Sequence, residues 1–349
     1  MPTTSQTIPN RREAVKSAAW LGLASALPMP AIAQAPAELT IGIANASSDV
    51  EIFLAQKKGW FREQGISVKT VEFRSAIDMV APLSAGQLDV GGGSVSAGLY
   101  NAFARGVRLR IVADKASSQP GFGVNKCIVA KRHVDSGRFK SLADLKGMKI
   151  AMNGPGNSAW GTLAIIARNA GIALSDIETV DLNYPDHVLA MQNNSVDAGI
   201  TTEPSATLSI LKGFAVEATS DDKVRPRHAI AQILFSEKLA GNKDLGVRFM
   251  RAYLRSVRYY CAALKDSRLA GANADEVITV LTEFTAIKDP QIYRSIVPNG
   301  VDPNGRIDLD SLREDLEVYR QQGWLQSEAR VEDVVDMSFV ETALQSPIE

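Results

Sequence analysis

The chain carries one building block twice. The stretch Asp78 to Gly91 (DMVAPLSAGQLDVG) is echoed by Asp186 to Gly199 (DHVLAMQNNSVDAG), which sets Asp89 and Asp197 108 positions apart. Upstream, Leu39 to Asn45 (LTIGIAN) and Met148 to Gly154 (MKIAMNG) each read as a short strand running into a polar loop. A helical stretch, a Gly-Ile pair (Gly65-Ile66, Gly171-Ile172) and a second strand follow in both copies. The match is of pattern more than identity, so two ordinary β-α-β units are the plain alternative to duplication. Two similar α/β lobes imply a cleft between them.

Composition places the chain among soluble globular proteins. At 349 residues, with 45% hydrophobic and 22% charged residues, it is long enough for two domains with cores of their own. A net charge of −1 and a pI near 6.4 leave no electrostatic footprint for nucleic acid.

Residues 1–35 read as an export signal. Asn10-Arg11-Arg12-Glu13-Ala14-Val15-Lys16 precedes an apolar run centred on Trp20-Leu21-Gly22-Leu23, and Ala31-Ile32-Ala33 follows. The paired arginines resemble the twin-arginine pattern, with a general secretion signal as the alternative. Cleavage is expected after Ala33, since Pro36 disfavours a cut after Ala35. No later run approaches the roughly 18 apolar residues of a membrane span, so the mature chain is expected to be soluble and periplasmic. An oxidising compartment permits a disulfide, but nothing in the sequence brings Cys127 and Cys261 together, and two free thiols are the expectation.

From residue 38 strands and helices alternate, which argues a mostly parallel sheet with helices on its faces. Strands are expected at 39–44, 68–73, 88–91 and 108–115, with helices at 51–64, 76–85 and 96–105 between them. The polar stretch Ala116 to Gly123 (ASSQPGFG) reads as the crossing into a second lobe. That lobe begins with a strand at 126–131, contains the repeated unit and is expected to be closed by a strand near 229–236. Helices at 243–265, 274–286, 310–322 and 331–343 follow and are expected to return to the first lobe. The division predicted is therefore 36–116 with 243–349 for lobe one, and 117–242 for lobe two.

The run Phe53 to Ile66 (FLAQKKGWFREQGI) resembles the opening segment of periplasmic solute-binding proteins of the nitrate, sulfonate, taurine and thiamine-pyrimidine-precursor group. Leu83 to Val90, Ser141 to Gly147, Leu309 to Leu316 and Asp333 to Val340 are similar to that group too, and in the same order. The resemblance implies an α/β, two-lobed periplasmic binding protein of type II-like form, with a hinge and a ligand cleft between the lobes. It further implies a monomer that delivers a small solute to the membrane permease of an ABC importer. The solute does not carry over.

In open α/β sheets ligands sit beyond the carboxyl ends of strands, where helix N-termini point inward. The loops so placed hold Asn45, Ser47, Ser48 and Asp49, then Gly93, Ser94 and Ser96, then Asn157, Ser158 and Trp160, and finally Asn183, Tyr184 and Glu203. The repeat sets Ser94 opposite Thr202. The hydroxyl and amide groups either donate to a ligand or cap helices. Asp49 is a ligand contact or a cap. Glu203 accepts from a ligand N–H or sits in a structural salt bridge, and Tyr184 and Trp160 stack on a planar solute or pack in the core. Arg74 pairs with an acidic ligand group or stays solvated. Helix ends supply only about 0.3–1 kcal/mol each to an anion, against roughly 8 kcal/mol for micromolar affinity. Direct hydrogen bonds and lobe closure must supply the rest.

Catalysis finds little support. Gly154-Pro155-Gly156-Asn157-Ser158-Ala159 matches a dinucleotide pattern, but the corresponding loop of the first repeat lacks it. Ser96-Ala97-Gly98 lacks the glycine of a nucleophile elbow. His133, His187 and His228 stand apart, without metal-ligand spacing. The sequence therefore predicts a non-enzymatic receptor with no cofactor and no metal, taking a small polar or anionic solute such as a sulfonate, nitrate, an aromatic acid or a pyrimidine. The alternative is an exported or synthase-like enzyme on the same scaffold.

Overall fold

A computed structural model describes residues 1–3, 35–326 and 328–348. The expected export signal lies outside the described residues. Residues 36–349 form one compact unit, which holds every element below.

Ten strands build two five-stranded sheets. The first holds β1 (Ala37–Ile43), β2 (Ile66–Glu72), β3 (Val90–Gly93), β4 (Arg110–Ser117) and, from far downstream, β10 (Ala229–Phe235). The second holds β5 (Asn125–Ala130), β6 (Lys149–Met152), β7 (Glu178–Asp181), β8 (Ala198–Thr202) and β9 (Ala215–Ser220). Their orders, β2-β1-β3-β10-β4 and β7-β6-β8-β5-β9, are the same plan: four strands run one way and the fourth in order, β10 or β5, runs against them. Register repeats as well, with Ile41 opposite Val90 in one sheet and Ile150 opposite Ala198 in the other.

The repeated aspartates explain why that spacing is kept. Asp89 accepts from the Thr40 N–H through Oδ2 (2.9 Å) while its own N–H donates to the Thr40 carbonyl (2.9 Å). Asp197 does the same with Lys149, at 3.1 and 2.8 Å. Each locks the start of its strand to the neighbouring strand. Asp89→Ala is therefore expected to cost about 1–3 kcal/mol, the desolvation cost of an orphaned N–H, in urea unfolding. Asp197→Ala should cost more, because its carboxylate also takes Arg132 (2.8 Å) and the buried His133 (2.6 Å), whereas Asp89 has the exposed Lys238 (3.2 Å). A neutral Asp89→Ala would deny the equivalence.

Alternation along the strands gives each sheet two apolar faces. In the first, Ile41 and Val90 join Phe53, Phe249, Tyr253 and Leu281, from the helices Val50–Lys57, Lys243–Cys261 and Ala274–Phe284. Ile111 and Leu234 face the other way, against Leu99, Leu312 and Leu316. In the second sheet Ile150 and Met152 pack with Leu163 and Ile166 of the helix Ser158–Ala170, and Ala151 lies on the opposite face. Cys127 on β5 and Cys261 at a helix end are both free thiols.

Three expectations need correction. The strand at 229–236 forms, but as β10 it enters the first sheet between β3 and β4 instead of closing the second lobe. Sequence pattern marks a strand; the crossing before it decides which sheet it joins. Helix 51–64 breaks at Gly59, whose φ of 78° no helix interior allows. Helix 331–343 splits because Val335 bridges to Ile111 at the edge of β4, where Asp336 donates to the Ile111 carbonyl (2.9 Å).

Two crossings join the sheets, 118–124 and 221–228, and they run side by side: the Ser118 N–H donates to the His228 carbonyl (2.7 Å) and its hydroxyl to Asp221 (2.9 Å).

Candidate functional site

The carboxyl ends of both sheets' parallel strands meet over two adjoining cavities. A small one of about 70 Å³ is lined by hydroxyl, amide and cationic side chains set among small apolar ones, and a chamber of about 800 Å³ is mostly apolar. Ala44, Ala46, Arg74, Tyr184 and Thr202 line both and form the neck between them.

Of the predicted residues, Ser48, Gly93, Ser94, Ser96, Asn157, Ser158 and Tyr184 line the small cavity. Asn45, Asn183, Tyr184 and Glu203 line the chamber. The cavity is closed by direct contact between residues from the two sheets. Ser94 Oγ lies 2.9 Å from Ser158 Oγ and accepts from the Ser158 N–H (3.0 Å), while the Ala97 N–H donates to the Gly156 carbonyl (2.8 Å). The helices Ala97–Ala104 and Ser158–Ala170 thus point their N-termini at the same spot. Ser96 and Asn157 act as their caps, accepting from Leu99 N and Ala159 N. Gly93 is needed at close quarters, since a Cβ there would lie 2.5 Å from that of Ala76.

Three predicted residues line neither cavity. The Ser47 hydroxyl donates to the Glu203 carbonyl (3.3 Å), another tie between the two halves. Asp49 is wholly buried: Oδ2 accepts from Ala44 N and Ala46 N, and Oδ1 lies 2.9 Å from Lys115 Nζ. Trp160 donates to the Gly154 carbonyl (2.8 Å) and packs edge-on against Trp324 at 4.7 Å, so it is a packing residue, not a stacking platform in the cleft. Glu203 lines the chamber and also holds a structural contact. Its carboxylate meets Lys126 (2.9 Å) and accepts from Thr207 N and Oγ1, which is the structural salt bridge, and it has no need of a ligand N–H. Thr202 lines both cavities, but the partner of Ser94 is Ser158. Arg74 is half-exposed and ion-paired to Asp181 (3.3 Å) across the cleft mouth.

Sequence reasoning missed Lys115 and Asn125. Lys115 is 1% exposed, lines the small cavity, and donates to Ser48 Oγ (3.2 Å) beside Asp49. A lysine inside the apolar strand Ile111-Val112-Ala113-Asp114-Lys115-Ala116 was the signal available. Asn125 is also wholly buried against the cavity, and its Nδ2 has no partner among the described residues.

Burial sets the charge state around this cation. It pushes Glu51 up to about 8, against the pull of Lys115, and Asp114 up to about 7, against the N–H of Asp302 and the Ser117 hydroxyl. Burial also raises the Tyr184 phenol to about 12. Glu51 and Tyr184 are therefore neutral near pH 7, and Lys115 Nζ lies 2.9 Å from Asp49 Oδ1 beside the cavity. Hydroxyls, an amide, a buried ammonium and two helix N-termini converge there, a donor set suited to an oxyanion. Among the described residues no group of three or more His, Cys, Asp and Glu is placed to hold a metal ion, and no helix is long and apolar enough to cross a membrane.

Known proteins share this plan. A Bacillus subtilis (strain 168) protein whose name proposes binding of aliphatic sulfonates is 28% identical over 322 residues, covering 88% of either chain. Among solved structures, the alkanesulfonate-binding protein SsuA from Xanthomonas axonopodis pv. citri, bound to MOPS, superposes with a TM-score of 0.69 at 19% identity, over 86% of this chain and 98% of that one. The periplasmic nitrate-binding protein NrtA from Synechocystis PCC 6803 gives 0.74 at 13% identity, over 89% of each chain. At such identities these structures show a shared fold, the two-lobed periplasmic binding protein. Residues 48–263, more than half of the chain, match the sequence profile described as NMT1/THI5 like, and the chain belongs to that family.

Proposed function

We propose that this protein is the solute-binding component of an ABC-type importer, that it works outside the cytoplasm, and that it grips a small organic anion between two lobes without transforming it. The observation that carries the reading is the small cavity, where Ser48, Ser94, Ser158, Asn125 and Lys115 converge from both halves of the fold. Family membership and the sulfonate- and nitrate-binding relatives support it. Lobe one is assigned to 36–117 with 229–349 and lobe two to 125–220, so that the crossings 118–124 and 221–228 serve as the hinge. The Arg11-Arg12 leader remains the basis for export.

Thermal unfolding with a panel of sulfonates, carboxylates, nitrate and neutral analogues tests this directly. An anion that binds is expected to add about 2.7 kcal/mol at a hundredfold excess over its dissociation constant, and to be recovered unchanged. Stabilisation by neutral analogues only, or consumption of a panel compound, would overturn the reading.

A further inference from the structure

We infer that the solute is an organic acid with a ring that carries an N–H or O–H donor, and that the 800 Å³ chamber selects it. The inference rests on the binding-protein reading above and narrows its ligand.

The small cavity holds a charged head and little more: about 70 Å³ is the space of a few waters. The chamber beyond the neck has the volume of a site for a drug-sized ligand, and Phe73, Val188, Leu189, Leu208, Ile287 and Tyr293 give it an apolar wall. Leu189 is 58% exposed, an uncovered apolar side chain on that wall. A nitrate or a methyl sulfonate seated at the head site would leave this wall wet. A ring covers it.

Two asparagines set what the ring must carry. Asn45 Nδ2 donates to Glu72 (3.0 Å) and Asn183 Nδ2 donates to Asp186 (3.2 Å). A carboxylate only accepts, so each amide is fixed with its nitrogen on the acid and its Oδ1 free to accept. Both Oδ1 atoms are buried with no partner among the described residues, and both residues line the chamber. A buried acceptor without a donor is costly. Asn45 follows β1 and Asn183 follows β7, so the two come from opposite sheets. A donor group on the ring would find an unpaired amide acceptor on either half.

Calorimetric titration with methanesulfonate, benzenesulfonate and 3- and 4-aminobenzenesulfonate, and with acetate, benzoate and 3- and 4-aminobenzoate, tests this. The two arms also settle which head group is taken. Benzene derivatives are expected to bind about 30-fold or more tighter than the methyl acids, from burial of the ring. One amino isomer should gain about three- to tenfold over its parent ring, the yield of one further hydrogen bond. Asn183 makes no side-chain cap to its helix, so Asn183→Ala should fold and should lower that isomer to the affinity of its unsubstituted parent. Leu189→Asp, at an exposed position, should shrink the ring's advantage over methyl. If the methyl acids bind and the ring adds nothing, or if no isomer responds to Asn183→Ala, the chamber inference fails while the receptor reading stands. If no acid of either arm binds, the receptor reading fails with it.

Discussion

Asp315→Ala is expected to remove about 3–5 kcal/mol of folding stability, the cost of leaving a buried charge without its counter-ion. Asp315 lies on the helix Leu309–Gln321, is 3% exposed, and accepts from Arg225 Nη1 (2.5 Å) through one oxygen while the other lies 3.0 Å from His228 Nε2. Arg225 and His228 belong to the return crossing and are themselves buried. Gly161 shows how tightly the carboxylate is seated, since a Cβ there would lie 2.0 Å from Asp315 Oδ1 and 2.6 Å from Arg225 Nη1. Loss of the carboxylate would leave the buried guanidinium, at the base of the proposed hinge, with only the exposed Glu314 (3.2 Å) as counter-ion.

The same substitution should change the pH dependence. Burial opposes charge on His228, but Asp315, helped by Asp221 and countered by Arg225, leaves the imidazole above its ordinary value. The imidazole is enclosed by Asp221, Asp315, Arg225 and the Thr162 hydroxyl. A raised folded pKa means that this contribution is complete below the unfolded value of about 6.5 and is lost as pH rises through the folded one. Urea unfolding of the wild type should therefore show His228's contribution falling as pH rises above about 6.5, and Asp315→Asn should flatten that fall. A loss under about 1 kcal/mol for Asp315→Ala would show that the cluster is not the anchor described.

Lys115→Met is expected to damage stability and binding together. It leaves the Asp49 carboxylate buried without its cation, again a loss of about 3–5 kcal/mol. It also removes the ammonium that lines the small cavity, for which at least about a tenfold loss of anion affinity is expected, since hydrogen bonds to charged groups contribute about 1.5–3 kcal/mol. The double variant Lys115→Met with Asp49→Asn separates the two effects. With no charge left behind, stability should recover in part and anion affinity should not. Urea unfolding and calorimetry of the three proteins give both numbers. Unchanged anion affinity in Lys115→Met would remove the cation from the site.

Much of this was legible in the sequence because repetition is visible without coordinates. Asp89 and Asp197 stand at matching places in the two copies, and the loops after β1, β3, β6 and β7 follow from strand ends alone. What was not legible depends on contacts between distant segments. β10 reads as a strand in either sheet, and only its insertion between β3 and β4 decides. Trp160 could not be told from a ligand platform until Trp324, far downstream, lay against it. Glu203 stood open between ligand and salt bridge until Lys126 and Thr207 enclosed it. Lys115 escaped because a charge in a buried strand is intelligible only beside Asp49, 66 positions earlier.

The central claim is that two like halves close on one anion. Small-angle scattering of the protein, alone and saturated with the acid that stabilises it most, measures this directly. The radius of gyration is predicted to fall on saturation, and to stay constant for Lys115→Met at the same acid concentration. An unchanged radius in the wild type with the acid demonstrably bound would contradict the account.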